Sequence, residues 1–317
     1  MELLTPPPDI VPFGLRALKV VATADGQFSE RERGLLAAAQ KMFSSNVDVD
    51  ALEPIEPAEL AAKIEHIGLR RQLLRAMLIT SMADGEASPQ EAATIEAFRE
   101  AFGIELHEID TFKKLSEGHF TSARFDVARR FWARQHVIEK VKQDGVGWLA
   151  KSIATLAKLT EDEPLAAKYR KLEHAPADSL GRAYFDLIDG NGFSFPGEKG
   201  SPPEVIIMHD LTHVLSGYDT TPPGEMCVTA FHAGYRNQDP FTWILFSMMQ
   251  FNMGIGLTPI TEATTLQFDP PSVLKALQRG AAMNTDLTDG TWDYWADMEL
   301  PLEEIRAKYN VLPLATN

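Results

Sequence analysis

The sequence predicts an all-α protein of two helical domains, and three observations carry that expectation. None of its Asp-Gly pairs joins alternating apolar runs as a hairpin turn would; Asp25-Gly26 and Asp84-Gly85 each follow one helix-like stretch and precede another. Ser or Thr heads one apolar-periodic segment after another, followed by Pro or Glu in the pattern of a helix start. The chain has 317 residues, 44% of them hydrophobic, enough for two cores at about 150 residues per domain.

The first helical elements form a repeat. Val21-Ala22-Thr23-Ala24-Asp25-Gly26-Gln27-Phe28-Ser29 parallels Thr80-Ser81-Met82-Ala83-Asp84-Gly85-Glu86-Ala87-Ser88. In each copy the Gly suits the left-handed residue that closes a helix. Three residues on, Ser29-Glu30-Arg31-Glu32 and Ser88-Pro89-Gln90-Glu91 read as capping boxes, the second with Pro at the first helical position. The repeated Ala-Asp-Gly-x-x-Ser-x-x-Glu pattern resembles the TerB (tellurite-resistance) family over about residues 10–115. That resemblance implies a helical bundle over 1–118 whose acids Asp25, Glu32, Asp84 and Glu91 are candidates for cation binding. Capping of their own helices accounts for the same Ser and Glu positions, and the ligand spacing of an EF-hand is missing.

Residues 119–175 read as a helical connector, richer in basic side chains (Arg124, Arg129, Arg130, Arg134, Lys140 and Lys142). Ala175-Pro176-Ala177-Asp178 is the expected linker into a second domain over 176–317.

In that half Ser201-Pro202-Pro203-Glu204 looks like a third capping box, predicting a helix from Pro202 that Gly217 ends. His209 and His213 are four apart and share its face, able to offer two imidazole nitrogens to one ion. Asp210 lies about 100° round and can reach in from the flank. The next helix is expected from Thr221-Pro222-Pro223, which puts Glu225 in its first turn, level with His213 across a short connection. His209, Asp210, His213 and Glu225 are the predicted metal ligands. Two imidazoles with one or two carboxylates suit zinc, with iron, magnesium and manganese as alternatives. If Asp210 acts instead as a base, as Glu does in His-Glu-x-x-His peptidases, three ligands and an open position remain. The shorter Asp side chain weakens a peptidase reading.

Lesser candidates follow. His232, seven residues beyond Glu225, is on the same helix face and can orient a ligand. Arg182 and Tyr184 can bind substrate oxygens, although Arg182 can equally pair with a nearby carboxylate. The segment 241–257 is the most lipophilic of the chain. Its Phe241, Ile244, Leu245, Met248, Met249 and Met253 read as buried core, as the wall of a lipid-tail pocket, or as both.

Charge and cysteine content narrow the classes. The net charge is −15, and Asp178 to Asn317 holds 18 acidic against 7 basic residues, so nucleic acid is excluded as a partner and any membrane contact must be apolar. The single cysteine, Cys227, allows no internal disulfide. The start, with Glu2 and Pro6-Pro7-Pro8, is not that of a signal peptide, and Ser247, Gln250 and Asn252 interrupt the only long apolar stretch. A soluble cytoplasmic chain is expected.

His209-Asp210-Leu211-Thr212-His213, eleven residues, then Glu225 resembles the signature of the Coq-four family of ubiquinone (coenzyme Q) biosynthesis proteins. Ser179-Leu180-Gly181-Arg182-Ala183-Tyr184-Phe185 is similar to that family's opening segment, and Pro301-Leu302-Glu303-Glu304-Ile305-Arg306 to its closing helix, so the likeness spans about 178–313. The resemblance implies a zinc site at His209, Asp210, His213 and Glu225. It also implies a metal-dependent lyase that removes the carboxylate at ring carbon one of a polyprenylated hydroxybenzoate and puts a hydroxyl in its place. Implied partners are a polyprenylated aromatic lipid, other quinone-biosynthesis proteins and the inner-membrane surface, with a homodimer left open. The alternative is a non-catalytic prenyl-lipid-binding scaffold with a structural metal. A stress-response role dominated by the TerB-like part is a third reading.

Overall fold

A computed structural model describes residues 3–130, 132–258 and 260–314; the side chains of residues 132–136 and 139, among them that of Arg134, lie outside the described set. Among the described residues the secondary structure is helical, with no strand beyond two isolated bridges. The helices are α1 (Val11–Ala22), α2 (Glu30–Met42), α3 (Pro57–Lys63), α4 (Ile67–Ser81), α5 (Pro89–Phe102), α6 (His107–Ser116), α7 (Phe120–Arg130), α8 (Trp132–Asp144) and α9 (Val146–Leu156). They continue as α10 (Glu163–Arg170), α11 (Leu180–Gly190), α12 (Ile207–Ser216), α13 (Pro222–Tyr235), α14 (Pro240–Ser247), α15 (Pro270–Ala281), α16 (Tyr294–Asp297) and α17 (Leu302–Lys308). The all-α expectation holds. Two compact units interleave along the chain: the first joins Met1–Arg129 to Thr221–Gly234 and Asp239–Ala281, and the second joins Arg130–Thr220 to Tyr235–Gln238 and Ala282–Asn317.

In the first unit the repeat folds as its residues dictate. Gly26 and Gly85 take φ of 91° and 93°. Both capping boxes form, Ser29 with Glu32 and Ser88 with Glu91. Asp25 and Asp84 each accept the backbone N–H two residues on, at 2.9 and 3.0 Å. All four acids of the repeat are therefore engaged in their own turns. Glu32 and Glu91 are also buried, and burial first, then neighbouring acids, push their carboxyls up to about 6 and about 8 against the hydrogen bonds from Ser29 and Ser88. Leu36, Leu74, Met77, Ile95, Phe98 and Phe112 form the core between the repeats.

The returning segment completes this unit. A π-helical stretch, Met248–Asn252, follows α14, and the fully buried Asn252 side-chain amide donates to the carbonyls of Met82 and Ala83, fastening the second repeat's turn. Helices α13 and α15 cross at glycines. A Cβ on Gly280 would stand 1.9 Å from the Phe231 carbonyl oxygen, and one on Gly234 would stand 2.5 Å from that of Leu277. Backbone meets backbone there, so neither position has room for a methyl group.

The second unit packs around aromatic rings. Tyr169 lies against Tyr184 and Trp295, with ring centroids 5.8 and 4.9 Å away. The buried Asp297 collects Trp292 Nε1 at 2.7 Å, Lys308 Nζ at 2.8 Å and the Tyr309 hydroxyl at 2.8 Å. Burial works against its charge, but these donors outweigh it and hold its carboxyl below the usual range. The Ser179–Pro301 bridge ties the head of α11 to the head of α17, with Leu180 N–H donating to the Leu300 carbonyl at 3.0 Å.

Candidate metal centre

The histidine helix begins later than its sequence suggests. The third capping box does not form: Glu204–Ile206 is a 3-10 turn without a side-chain cap, and α12 proper starts at Ile207. Ser201 accepts instead from Gly197 N–H at 3.1 Å. Glu204 is drawn away by tyrosines, accepting from Tyr169 at 2.7 Å and from Tyr294 at 3.4 Å. The other end follows expectation. Gly217, at φ 78°, closes the helix with its N–H on the His213 carbonyl, and Arg306 donates to the last-turn carbonyls of Leu215 at 3.0 Å and Val214 at 2.9 Å. Leu211 and Leu215, only 0% and 1% exposed, seat the helix and fix which way its histidine face points.

On that face His209 Nε2 and His213 Nε2 stand 3.3 Å apart, with the rings nearly perpendicular at 85°. His213 Nδ1 lies 3.1 Å from the Tyr218 carbonyl oxygen. A carbonyl can only accept, so Nδ1 carries the proton and Nε2 of the neutral ring keeps its lone pair for a ligand role. Two nitrogens bound to one tetrahedral zinc at about 2.0–2.1 Å are separated by about 3.4 Å, which is the spacing found. Glu225 comes from the first turn of α13, where its N–H donates to the Thr221 carbonyl at 2.7 Å and Thr221 Oγ1 accepts from Gly224 N–H at 3.3 Å. His209, His213 and Glu225 each offer one ligand atom, all within 4.8 Å of one another, and this group can hold a metal ion. Asp210 is not one of the three; half-buried on the flank of α12, it interacts electrostatically with Tyr184. The donor set of two imidazoles and a carboxylate, with a protonated Nδ1 held on a carbonyl, fits a divalent cation.

The other sequence candidates fall in varied places. His232 is wholly buried and stacks on Trp243, with centroids 4.0 Å apart. Arg182 goes to a carboxylate, Asp186 at 2.8 Å, and to the Glu173 carbonyl at 2.8 Å. Tyr184 is wholly buried, and its hydroxyl has no hydrogen-bond partner among the described residues. Burial, then the charge of Asp210, drive that hydroxyl far above its ordinary pKa, so it stays a proton donor. Of the six proposed tail-pocket residues, Phe241 and Ile244 line a cavity of the first unit. Leu245, Met248 and Met249 are buried outside its lining, and Met253 is half-buried in the bridge to Thr265. Cys227 is a buried thiol that forms no disulfide.

Sequence reading missed the triad Tyr169, Tyr294 and Glu204, whose hydroxyls lie 3.2 Å from each other beside the shared carboxylate. Burial first, and then the nearby charge of Glu204, push both tyrosines up, Tyr294 to about 12 although its bond with Tyr169 works the other way. Residues 35 and 90 positions from Glu204 leave no local signal. Among the described residues no helix is long and apolar enough to cross a membrane. Comparison with protein-family models and with curated proteins gives no match.

Proposed function

We propose that this chain is a metal-dependent enzyme acting on a polyprenylated hydroxybenzoate, removing the ring-carbon-one carboxylate and placing a hydroxyl there in the course of quinone synthesis. The observation that carries it is the His209–His213 pair with Glu225, because three protein ligands leave a tetrahedral ion one position for substrate, as catalytic sites do and structural sites do not. Choice of substrate rests on the resemblance of residues 178–313 to the Coq-four family.

The bound ion, zinc by its donor set, would supply positive charge against which carboxylate or phenolate oxygens lose their repulsion and ring charge is stabilised. The chain's own groups do the rest. His213 is fixed in tautomer and orientation by the Tyr218 carbonyl. Tyr184, its hydroxyl unclaimed by the fold and held protonated, can donate to a substrate oxygen. Asp210 can accept a proton. The carboxylate leaves as carbon dioxide with its bonding pair left on the ring; introducing the hydroxyl is an oxidation and needs dioxygen or another oxidant.

Purified protein assayed with a prenylated hydroxybenzoate carrying 13C in its carboxylate, under air, tests this. Release of labelled carbon dioxide in proportion to bound metal, lost in His209→Ala and Glu225→Ala, is expected. One tightly held metal with no turnover, and unaltered quinone content in a strain carrying those variants, would sink it. Quinone loss in that strain, without turnover by the purified protein, would favour the prenyl-lipid scaffold with a structural metal instead.

A further inference from the structure

The first unit holds a partly open cavity of about 130 Å³ between α1, α2, α4, α14 and α15, with the segment before α1 forming one wall. Nearly all of its lining is aliphatic or aromatic; Leu15, Leu18, Leu35, Leu73, Ile79 and Phe241 are representative. An apolar cavity of about 150 Å³ stays dry and takes up a benzene-sized hydrocarbon, so the space is adequate for a segment of chain.

The three polar residues of the lining decide what can enter. Gln72 is spent on the backbone of Leu4, accepting its N–H and donating to its carbonyl, each at 2.9 Å, which clamps the amino-terminal segment over the cavity. Arg75 is held by Glu108 at 2.7 and 3.0 Å, and its guanidinium lies over the Phe241 ring. The Thr80 hydroxyl donates to the Ala76 carbonyl at 2.9 Å. A polar or charged group brought inside would give up its water and find each of these already bonded, at a cost of a few kcal/mol. A hydrocarbon loses nothing on entry.

We propose that this cavity binds a hydrocarbon chain, acyl or isoprenoid, with any polar head left at the mouth. The walls come mostly from residues 3–80, so the inference stands apart from the metal centre and from the reaction proposed there.

Gly14 provides the test. It lines the cavity from α1, and a Cβ there would meet only Leu73 Cδ1, at an ordinary 3.8 Å. Gly14→Leu should therefore fill the space while raising helix propensity. Ala76→Leu, from α4, is a second filling variant. The full chain is titrated with farnesol and separately with dodecanol, following one-to-one binding by calorimetry and by the ligand-induced rise in melting temperature. Binding of either alcohol is expected, the better one indicating the natural chain type. Both filling variants, melting no lower than wild type without ligand, should lose at least about tenfold in affinity, equivalent to about 1.4 kcal/mol. Absence of binding to both alcohols, or full affinity retained in a folded filling variant, would overturn the proposal.

Discussion

His213 Nε2 stands 3.3 Å from His209 Nε2 while its Nδ1 faces the Tyr218 carbonyl at 3.1 Å. Without a cation, two neutral imidazoles at that distance can share only one hydrogen bond. With one, both lone pairs are used. Metal should therefore stabilise the folded chain, by about 2.7 kcal/mol at a free concentration one hundred times its dissociation constant. Thermal unfolding with zinc and with chelator should show the difference, and His213→Ala should abolish it. Identical melting curves for wild type in zinc and in chelator would count against the site.

Gly280 gives a sharper test of the packing that seats α13. Because an added Cβ would fall 1.9 Å from the Phe231 carbonyl oxygen, Gly280→Ala must push α13 and α15 apart. The expected loss is at the upper end of overpacking costs, about 3 kcal/mol. Gly190, also helical, has open space where a methyl group would stand, with nothing within 4 Å, so Gly190→Ala should be neutral or stabilising by up to about 1 kcal/mol. Denaturant midpoints of the two variants decide; equal midpoints would contradict the close crossing.

These residues also mark what a linear reading reaches. The Asp-Gly-x-x-Ser-x-x-Glu turns were legible because the bonds that shape them, from Gln27 to Asp25 or between Ser88 and Glu91, join neighbours in sequence. The histidine pair was legible for the same reason, being one helical turn apart. The capping box at Ser201 misled because a tyrosine 35 residues upstream competes for the Glu204 carboxylate. Neither the apolar cavity, built from five separated helices, nor the interleaving of the two units has any short-range pattern to betray it.

Arg306 acts on the metal helix through its end. Its guanidinium bonds the carbonyls of Val214 and Leu215, which α12 itself leaves without partners, and Glu303 at 2.6 Å steadies it. Arg306→Ala should cost about 1.5–3 kcal/mol as charged hydrogen bonds are lost. It should also weaken zinc binding by loosening the turn that carries His213. Arg306→Lys, lacking the planar fork, should recover only part of both. A zinc isotherm unchanged in Arg306→Ala would show that this end of the helix does not govern the site.

Glu91 links the repeat's architecture to pH. Burial is the main cause that lifts its carboxyl from 4.5 to about 8, with Glu32 and Asp84 adding repulsion; Glu32 rises in the same direction to about 6. A raised value means that the folded protein holds the proton more tightly than the unfolded chain does. The contribution of Glu91 to stability is thus full below pH 4.5 and is lost as pH rises through 8, that of Glu32 being lost earlier, as pH rises through 6. From about pH 6 to about pH 9 the wild type should lose on the order of a few kcal/mol from Glu91. Glu91→Gln keeps a neutral side chain that can still complete the capping box with Ser88, so its urea midpoint should fall much less over the same interval. Parallel declines in the two proteins would mean that Glu91 is ionised throughout, and that Ser88 and the surrounding water outweigh its burial.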